Sequence, residues 1–157
     1  MEMRPTFILS IAVAIVATAL LIYLTPLRHV TLVPPGMHEM DPKEFYDDFK
    51  ANPDKYLLVD VRSPSIFTSA HAQGAISIPI ENLYDEKNSL PRSGKRIALI
   101  CTTGRLAAIG YGYLESQGFT NLIHIEGGMV NWVVEGLPVE GKNVELAAST
   151  TIPDEHQ

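Results

Sequence analysis

A chain of 157 residues has room for one domain with appendages, since domains commonly run to about 100–150 residues. Hydrophobic residues make up 46% and charged residues 19%, with much of the apolar content before residue 28, and the net charge of −6 comes with no Lys/Arg cluster long enough to track a phosphate backbone, which excludes nucleic acid as a partner. A single cysteine, Cys101, excludes an intrachain disulfide and any zinc site built from several thiolates, and leaves that thiol either as a small buried hydrophobe or as a reactive group.

Residues 1–5 form a short N-terminal tail, and the segment 6–27 is expected to be a transmembrane helix. From Phe7 to Leu24 the chain reads FILSIAVAIVATALLIYL, about 18 residues without a charge, which as a helix span roughly 27 Å, close to the thickness of a bilayer core. Arg4 and Pro5 precede it, and Tyr23 stands where an interfacial aromatic is expected. A secretory signal peptide is the main rival, but its apolar region is usually about 7–15 residues and ends in a small-x-small cleavage site, which does not follow Leu24. A buried core helix is weaker still, because helices of globular domains seldom lack a polar face over this length. The expectation is a single-pass membrane protein. Arg4 and the terminal amine balance Arg28 and His29, which leaves the side of the soluble part undecided.

Residues 28–37, with Pro34-Pro35-Gly36, suit an extended linker, and the folded domain is expected over 38–140. Asp41-Pro42-Lys43-Glu44 combines a capping residue, Pro at the first helical position and Glu at the third, so a helix opens there and runs to about Ala51 with Phe45, Tyr46 and Phe49 on its buried side. Tyr56 to Val61 is a mostly apolar run suited to a strand buried on both faces, with Asp60 at its C-terminal end. Ser63-Pro64 starts a short helical turn, Gly74 to Pro79 gives a brief strand, and Tyr84 to Lys95 reads as a polar loop.

Arg96 to Ile100 is a third strand, followed from Thr102 to Gln117 by a tight loop and a helix that stops at Gly118. Leu122 to Ile125 is a fourth strand, Gly127-Gly128 a turn, and Met129 to Glu135 a last helix stopped by Gly136. Strands alternating with helices predict an α/β domain with a parallel sheet. Residues 141–157 are polar, with no apolar period to bury, and are expected to be a disordered tail.

Cys101 falls where strand becomes loop. In open α/β sheets, ligands bind beyond the carboxyl ends of strands, where helix N-termini present free N–H groups that favour negative charge. Gly104 supplies the backbone freedom a tight cradle needs, and the helix start together with Arg105 favours the thiolate, the form that attacks sulfur. The same N–H groups suit a persulfide, whose terminal sulfur carries negative charge. By spacing alone, though, Cys101-x-x-Gly104-Arg105 is as compatible with an inert buried thiol.

The neighbouring residues favour structural readings. Asp60 and Arg62, at a strand end, are expected to fix loops by ion pairing or hydrogen bonds, and His71 to be structural, since sulfur transfer from an activated thiolate requires no dedicated base. Trp132 is expected in the core and His124 as a satisfied interior or edge residue, while Gly110 and Gly112 beside Tyr111 and Tyr113 suggest close packing against the sheet.

From Tyr56 to Val139 the chain resembles the rhodanese (thiosulfate sulfurtransferase) family at several ordered motifs. Leu58-Val59-Asp60-Val61-Arg62 resembles the family's first signature, Phe67 with His71-Ala72-Gln73-Gly74-Ala75 its His-x-x-Gly-Ala element, and Ile78-Pro79 follows in register. The loop from Cys101 comes next, and Gly118-Phe119-Thr120-Asn121 with Glu126-Gly127-Gly128-Met129-Val130-Asn131-Trp132 is similar to the closing signature, before Leu137-Pro138-Val139. The resemblance implies a rhodanese-like α/β fold with a five-stranded parallel sheet flanked by helices, here preceded by one transmembrane helix. It implies Cys101 as the nucleophile that takes up sulfane sulfur, from a donor such as thiosulfate, and passes it to a thiol or cyanide acceptor. Thr102, Thr103, Gly104, Arg105 and Leu106 are implied as the substrate cradle, with Arg105 as a contact to an anionic donor. No cofactor and no metal is implied.

The chain departs from the family's commonest single-domain pattern at Leu106, where an arginine is usual, and at Ala107, where serine is frequent. Losing that cation weakens the case for thiosulfate and favours a less charged donor such as a persulfidated thiol. Two rival functions follow: a membrane-tethered binding module of low turnover that holds a protein partner, and a cysteine phosphatase or arsenate reductase. The last needs Cys followed by five residues and then Arg, and position 107 is Ala.

Overall fold

Asp41 starts the first helix: its Oδ1 accepts hydrogen bonds from the backbone N–H of Lys43 at 2.8 Å and of Glu44 at 3.1 Å, and Pro42 takes the first helical position, where a missing N–H costs nothing. The resulting helix α1 spans Pro42–Ala51 and buries Phe45. The computed structural model describes residues 36–144. The expected N-terminal tail, the spanning segment 6–27, most of the linker and residues 145–157 lie outside the described residues. Among the described residues no helix is long and apolar enough to cross a membrane.

After β1 (Glu39–Met40) and α1 come β2 (Tyr56–Asp60), α2 (Pro64–Ser69), β3 (His71–Ala72), β4 (Ile76–Ser77) and α3 (Ile80–Glu86). They are followed by β5 (Arg96–Ile100), α4 (Arg105–Ser116), β6 (Leu122–Ile125), α5 (Gly128–Val134) and β7 (Val139–Glu140). The main sheet has the order β1-β6-β5-β2-β4, with every pairing parallel. This is the five-stranded parallel sheet that the sequence resemblance implied, with Glu39–Met40 as an edge strand that the sequence pattern alone did not mark.

Alternation along β5 serves both faces of the sheet. Ile97, Leu99 and, just past the strand, Cys101 join one cluster with Val59, Val61, Leu83, Ala107, Tyr111 and Leu114, while Ala98 and Ile100 join the other with Phe45, Met129 and Trp132. Burial on both faces is what a parallel sheet requires. Gly110 lets α4 lie close to its neighbours: a Cβ there would stand 3.1 Å from Leu83 and 3.2 Å from Ile80, both of α3, and 3.8 Å from Leu99 of the sheet. Trp132 is fully buried, with its ring N–H donating to the carbonyl of Pro138 at 2.9 Å.

At the carboxyl end of β2, Asp60 and Arg62 form a buried ion pair. Arg62 donates to Asp60 from its backbone N–H (3.0 Å), from Nε (2.9 and 3.0 Å to the two oxygens) and from Nη2 (2.6 Å), and Nη2 also reaches the carbonyl of Ala70 at 2.7 Å. The pair therefore ties the end of β2 to the end of α2, the loop-fixing role expected of it.

Three expectations are corrected. The stretch Tyr84 to Lys95 is not wholly loop: α3 runs through Glu86 and a 3-10 turn follows at Lys87–Ser89. The polar face of these elements is solvent-facing while Leu83 and Leu90 are buried, so polarity of the string hid two packed elements. His71–Ala72 and Val139–Glu140 form an antiparallel ribbon, too short to leave a periodic signal. Past Glu140, where a disordered tail was expected, the backbone N–H groups of Lys142 and Asn143 donate to the carbonyls of Thr68 and Ser69 at 3.1 and 2.9 Å, so the chain stays tied to α2 to that point.

Replacing Arg62 by methionine leaves Asp60 buried without its partner and is expected to cost about 3–5 kcal/mol of stability, read from the midpoint of urea unfolding; the double change Asp60→Asn with Arg62→Met should recover part of that loss.

Candidate active site

Cys101 stands one residue beyond β5, at the carboxyl edge of the sheet, and is 2% exposed. Its Sγ accepts a hydrogen bond from the backbone N–H of Ala107 at 3.4 Å. Ala107 is the third residue of α4, so one of the N–H groups that a helix start leaves without an internal partner points at the sulfur. Cys101 belongs to a buried apolar cluster that includes Val61, Ala107 and Tyr111.

Between Cys101 and α4 the chain makes a tight loop through Thr102, Thr103 and Gly104, the last in the left-handed region at φ 86°. Three carbonyls of this loop are held, two by the start of α5 and one by His124 and α4. The backbone N–H of Met129 donates to the carbonyl of Cys101 at 2.7 Å, and that of Val130 to the carbonyl of Thr102 at 3.0 Å. The carbonyl of Gly104 meets Nε2 of His124 at 2.8 Å and accepts from the N–H of Ala108 at 2.8 Å. Peptide bonds among the described residues are all trans, and in a trans unit the N–H is antiparallel to the C=O. Holding the carbonyls of residues 101 and 102 therefore turns the N–H groups of Thr102 and Thr103 away from α5, and holding that of 104 turns the Arg105 N–H away from His124. With the Ala107 N–H on the sulfur, the loop and the start of α4 offer backbone donors suited to an anion.

The bracing depends on Gly128. Its φ is 60°, and a Cβ there would lie 2.2 Å from the Cys101 carbonyl oxygen and 2.9 Å from the Gly104 nitrogen. Only a residue without a side chain lets the start of α5 approach this closely.

The candidate residues Thr102, Thr103, Gly104, Arg105 and Leu106 are thus brought together around Cys101 by one continuous loop and the first turn of α4. Thr102, Thr103, Arg105 and Leu106 are exposed, and Gly104 is buried. Leu106 is 41% exposed, so the position where the sequence resemblance implied a cation presents an apolar surface. His71 takes a structural place. Its Nδ1 meets the carbonyl of Phe67 at 2.7 Å, its ring stacks on Phe67 with centroids 3.8 Å apart, and its Nε2 lies 3.7 Å from Glu140 across the β3–β7 ribbon. Among the described residues no group of His, Cys, Asp and Glu side chains could hold a metal ion.

Sequence reasoning missed the residues that shape the cradle without facing it: Gly128, the amides of Met129 and Val130, and His124. Two successive glycines at 127 and 128 were the available signal, since a tandem pair marks a close backbone approach as well as a turn.

A family model described as the rhodanese-like domain matches residues 41–135. An uncharacterized protein of Synechocystis, slr1261, is 35% identical over 96 residues, which cover 60% of this chain and 52% of that protein; the chain thus spans about half the length of that relative. A protein of Allochromatium vinosum named sulfurtransferase is 25% identical over 89 residues, covering 57% of this chain and 82% of that one. Among solved structures, a rhodanese-related protein from Thermoplasma volcanium superposes with a TM-score of 0.59 at 30% identity, covering 67% of this chain and 99% of the other.

Substituting Gly128 by alanine should push the Cys101 loop off α5, lowering stability by about 1–3 kcal/mol and speeding hydrogen exchange at the amides of Met129 and Val130 in heteronuclear NMR spectra. Gly136→Ala is the control: φ there is also positive, at 68°, but nothing lies within 4 Å of the new Cβ, so it carries the backbone penalty of about 1 kcal/mol alone and leaves those amides protected.

Proposed function

The chain belongs to the rhodanese-like domain family, and from that premise we propose that it is a sulfurtransferase or sulfur carrier in which Cys101 takes sulfane sulfur from a small donor and passes it to a thiol or cyanide acceptor. The observation that carries this reading is the Ala107 N–H directed at Sγ beside a loop whose carbonyls at Cys101, Thr102 and Gly104 are engaged elsewhere. An anionic sulfur in apolar surroundings needs such donors to offset the loss of water.

The Cys101 thiolate attacks the outer sulfur of the donor. With thiosulfate, the new Cys–S–S bond forms as the donor's S–S bond breaks, and sulfite leaves with the electron pair. With a persulfidated thiol in its protonated form, R–S–S–H, the leaving group is the thiolate R–S⁻ and Cys101 keeps the terminal sulfur and its proton. An acceptor thiolate then attacks that terminal sulfur and regenerates the Cys101 thiolate; cyanide does the same to the persulfide anion and leaves as thiocyanate. No oxidant or reductant enters either half.

The loop N–H groups hold the negative terminal sulfur between the two halves. Arg105 meets the anionic group of a charged donor. Leu106, apolar and exposed at the loop's rim, supports a donor less charged than thiosulfate. It equally supports a second reading, a rhodanese-like binding module with little turnover that presents this rim to a protein partner.

The domain is held at a membrane by the apolar segment 6–27, whose uncharged run matches a bilayer core in length. Sulfur carried on Cys101 is then confined to one membrane face.

Mass spectrometry separates the two readings of the site. Incubated with thiosulfate or a small alkyl persulfide, the protein should gain one sulfur atom, the Cys101→Ser variant none, and Leu106→Arg should raise the thiosulfate rate by about tenfold through one added charged contact; a parent protein that gains no sulfur from either donor leaves the binding module. For the anchor, the full chain should sediment with membranes, resist extraction by alkaline carbonate and dissolve in detergent, while a chain starting at residue 36 should remain in the supernatant. Carbonate release of the full chain would sink the spanning helix.

A further inference from the structure

His124 was expected only to be a satisfied interior residue, yet its ring is the sole side chain among the described residues that hydrogen-bonds the backbone of the Cys101 loop. It sits on β6, is 5% exposed, and alternates with Ile123 and Ile125 so that its ring points to the α4 side of the sheet, beneath the loop. The Gly104 carbonyl has no hydrogen to give, so Nε2 carries the proton of that 2.8 Å bond and donates it. On the other side, Nδ1 lies 3.0 Å from Oε1 of Glu39, on the edge strand β1 that pairs with β6 through the register of Glu39 with His124, and donates to that carboxylate when it too carries a proton. The ring also supports the loop by contact: a Cβ on Gly104 would lie 3.1 Å from its Cε1 and Nε2, so the left-handed glycine and the imidazole are fitted to each other.

We propose that His124 is a positioning residue of the sulfur cradle, holding the Gly104 carbonyl outward so that the Arg105 N–H stays turned to the sulfur side, with Glu39 fixing the ring from behind. This rests on the sulfurtransferase reading above and deepens it. The argument is one of peptide geometry. Released from His124, the Gly104–Arg105 peptide keeps only the bond from the Ala108 N–H, which alone then opposes its rotation. Rotation of that unit would swing a carbonyl toward the sulfur, replacing an N–H donor by a lone pair where a negative sulfur has to sit. Glu39 lies next to the linker end of the domain and its side chain is 42% exposed, so the chain that enters the domain is joined to the cradle through one ring.

The test compares the full chain in detergent with three variants, reading the rate at which Cys101 gains sulfur from a small alkyl persulfide and the exchange rates of the Thr102–Ala107 amides. His124→Phe keeps a ring and removes both hydrogen bonds; it should slow sulfur uptake about five- to tenfold, the worth of one positioned hydrogen bond, and speed exchange at Arg105. His124→Gln places an amide N–H near the position of Nε2 and should restore uptake to within about twofold of the parent. Glu39→Ala, at an exposed edge that tolerates change, should slow uptake about two- to threefold even if the phenylalanine variant fails to fold.

Equal losses in the phenylalanine and glutamine variants overturn the proposal, because ring packing and not the donor then matters, and an unchanged rate in Glu39→Ala overturns it too. A parent that takes up no sulfur sinks the sulfurtransferase reading instead; the loop amides then decide the role of His124 alone, and unchanged exchange at Arg105 in His124→Phe overturns it.

Discussion

The arrangement rests on where the carbonyls of the Cys101 loop go. A backbone loop presents N–H groups to one point only if its C=O groups are engaged elsewhere, because each trans peptide carries the two in opposite directions. Here the start of α5 takes the carbonyls of Cys101 and Thr102 through Met129 and Val130, and the absence of a side chain at Gly128 permits the approach. The helix start loses nothing by this, since those amides have no partner within the helix.

The parallel sheet supplies the rest of the geometry. Strands β5 and β6 are neighbours running the same way, so the helices that follow them both begin at the same edge of the sheet. One start, that of α4, sends the Ala107 N–H to the sulfur; the other, that of α5, braces the loop from behind. Each is fixed by burial remote from the chemistry. α4 is held by Ala107, Gly110, Tyr111 and Leu114 on one face of the sheet, and α5 by Met129 and Trp132 on the other. A thiol in this place lies in a buried apolar cluster and has one polar contact to its sulfur, from the Ala107 N–H.

Much of the fold was legible because its signals are local. The cap at Asp41, the apolar runs at 56–61, 96–100 and 122–125, and the glycine stops at 118 and 136 each announce an element within a few residues, and the structure has those elements within one or two residues of the expected bounds. The parts that were not legible are short or two-sided. β1, β3, β4 and β7 have two residues each, too few for a period to be read; of these only β4 was marked, by the glycine and proline around it. α3 begins at Ile80 after Pro79 without a side-chain cap, and its exposed polar face made the region around it look like loop.

The candidate site divides along the same line. The sequence by itself determined that the one thiol stands at the end of a buried strand before a glycine-bearing turn and a helix start, because strand, turn and helix there are contiguous and each has its own residue signal. It also showed Leu106 at the position where the family resemblance implies a cation. Only the tertiary structure decided what holds the loop in shape. Gly128 and the amides of Met129 and Val130 lie more than twenty residues beyond the thiol, and Glu39 meets His124 across 85 positions of chain. Such contacts are set by strand order and by the burial of Trp132 and Leu114, and no local pattern in the residues that make them encodes the pairing.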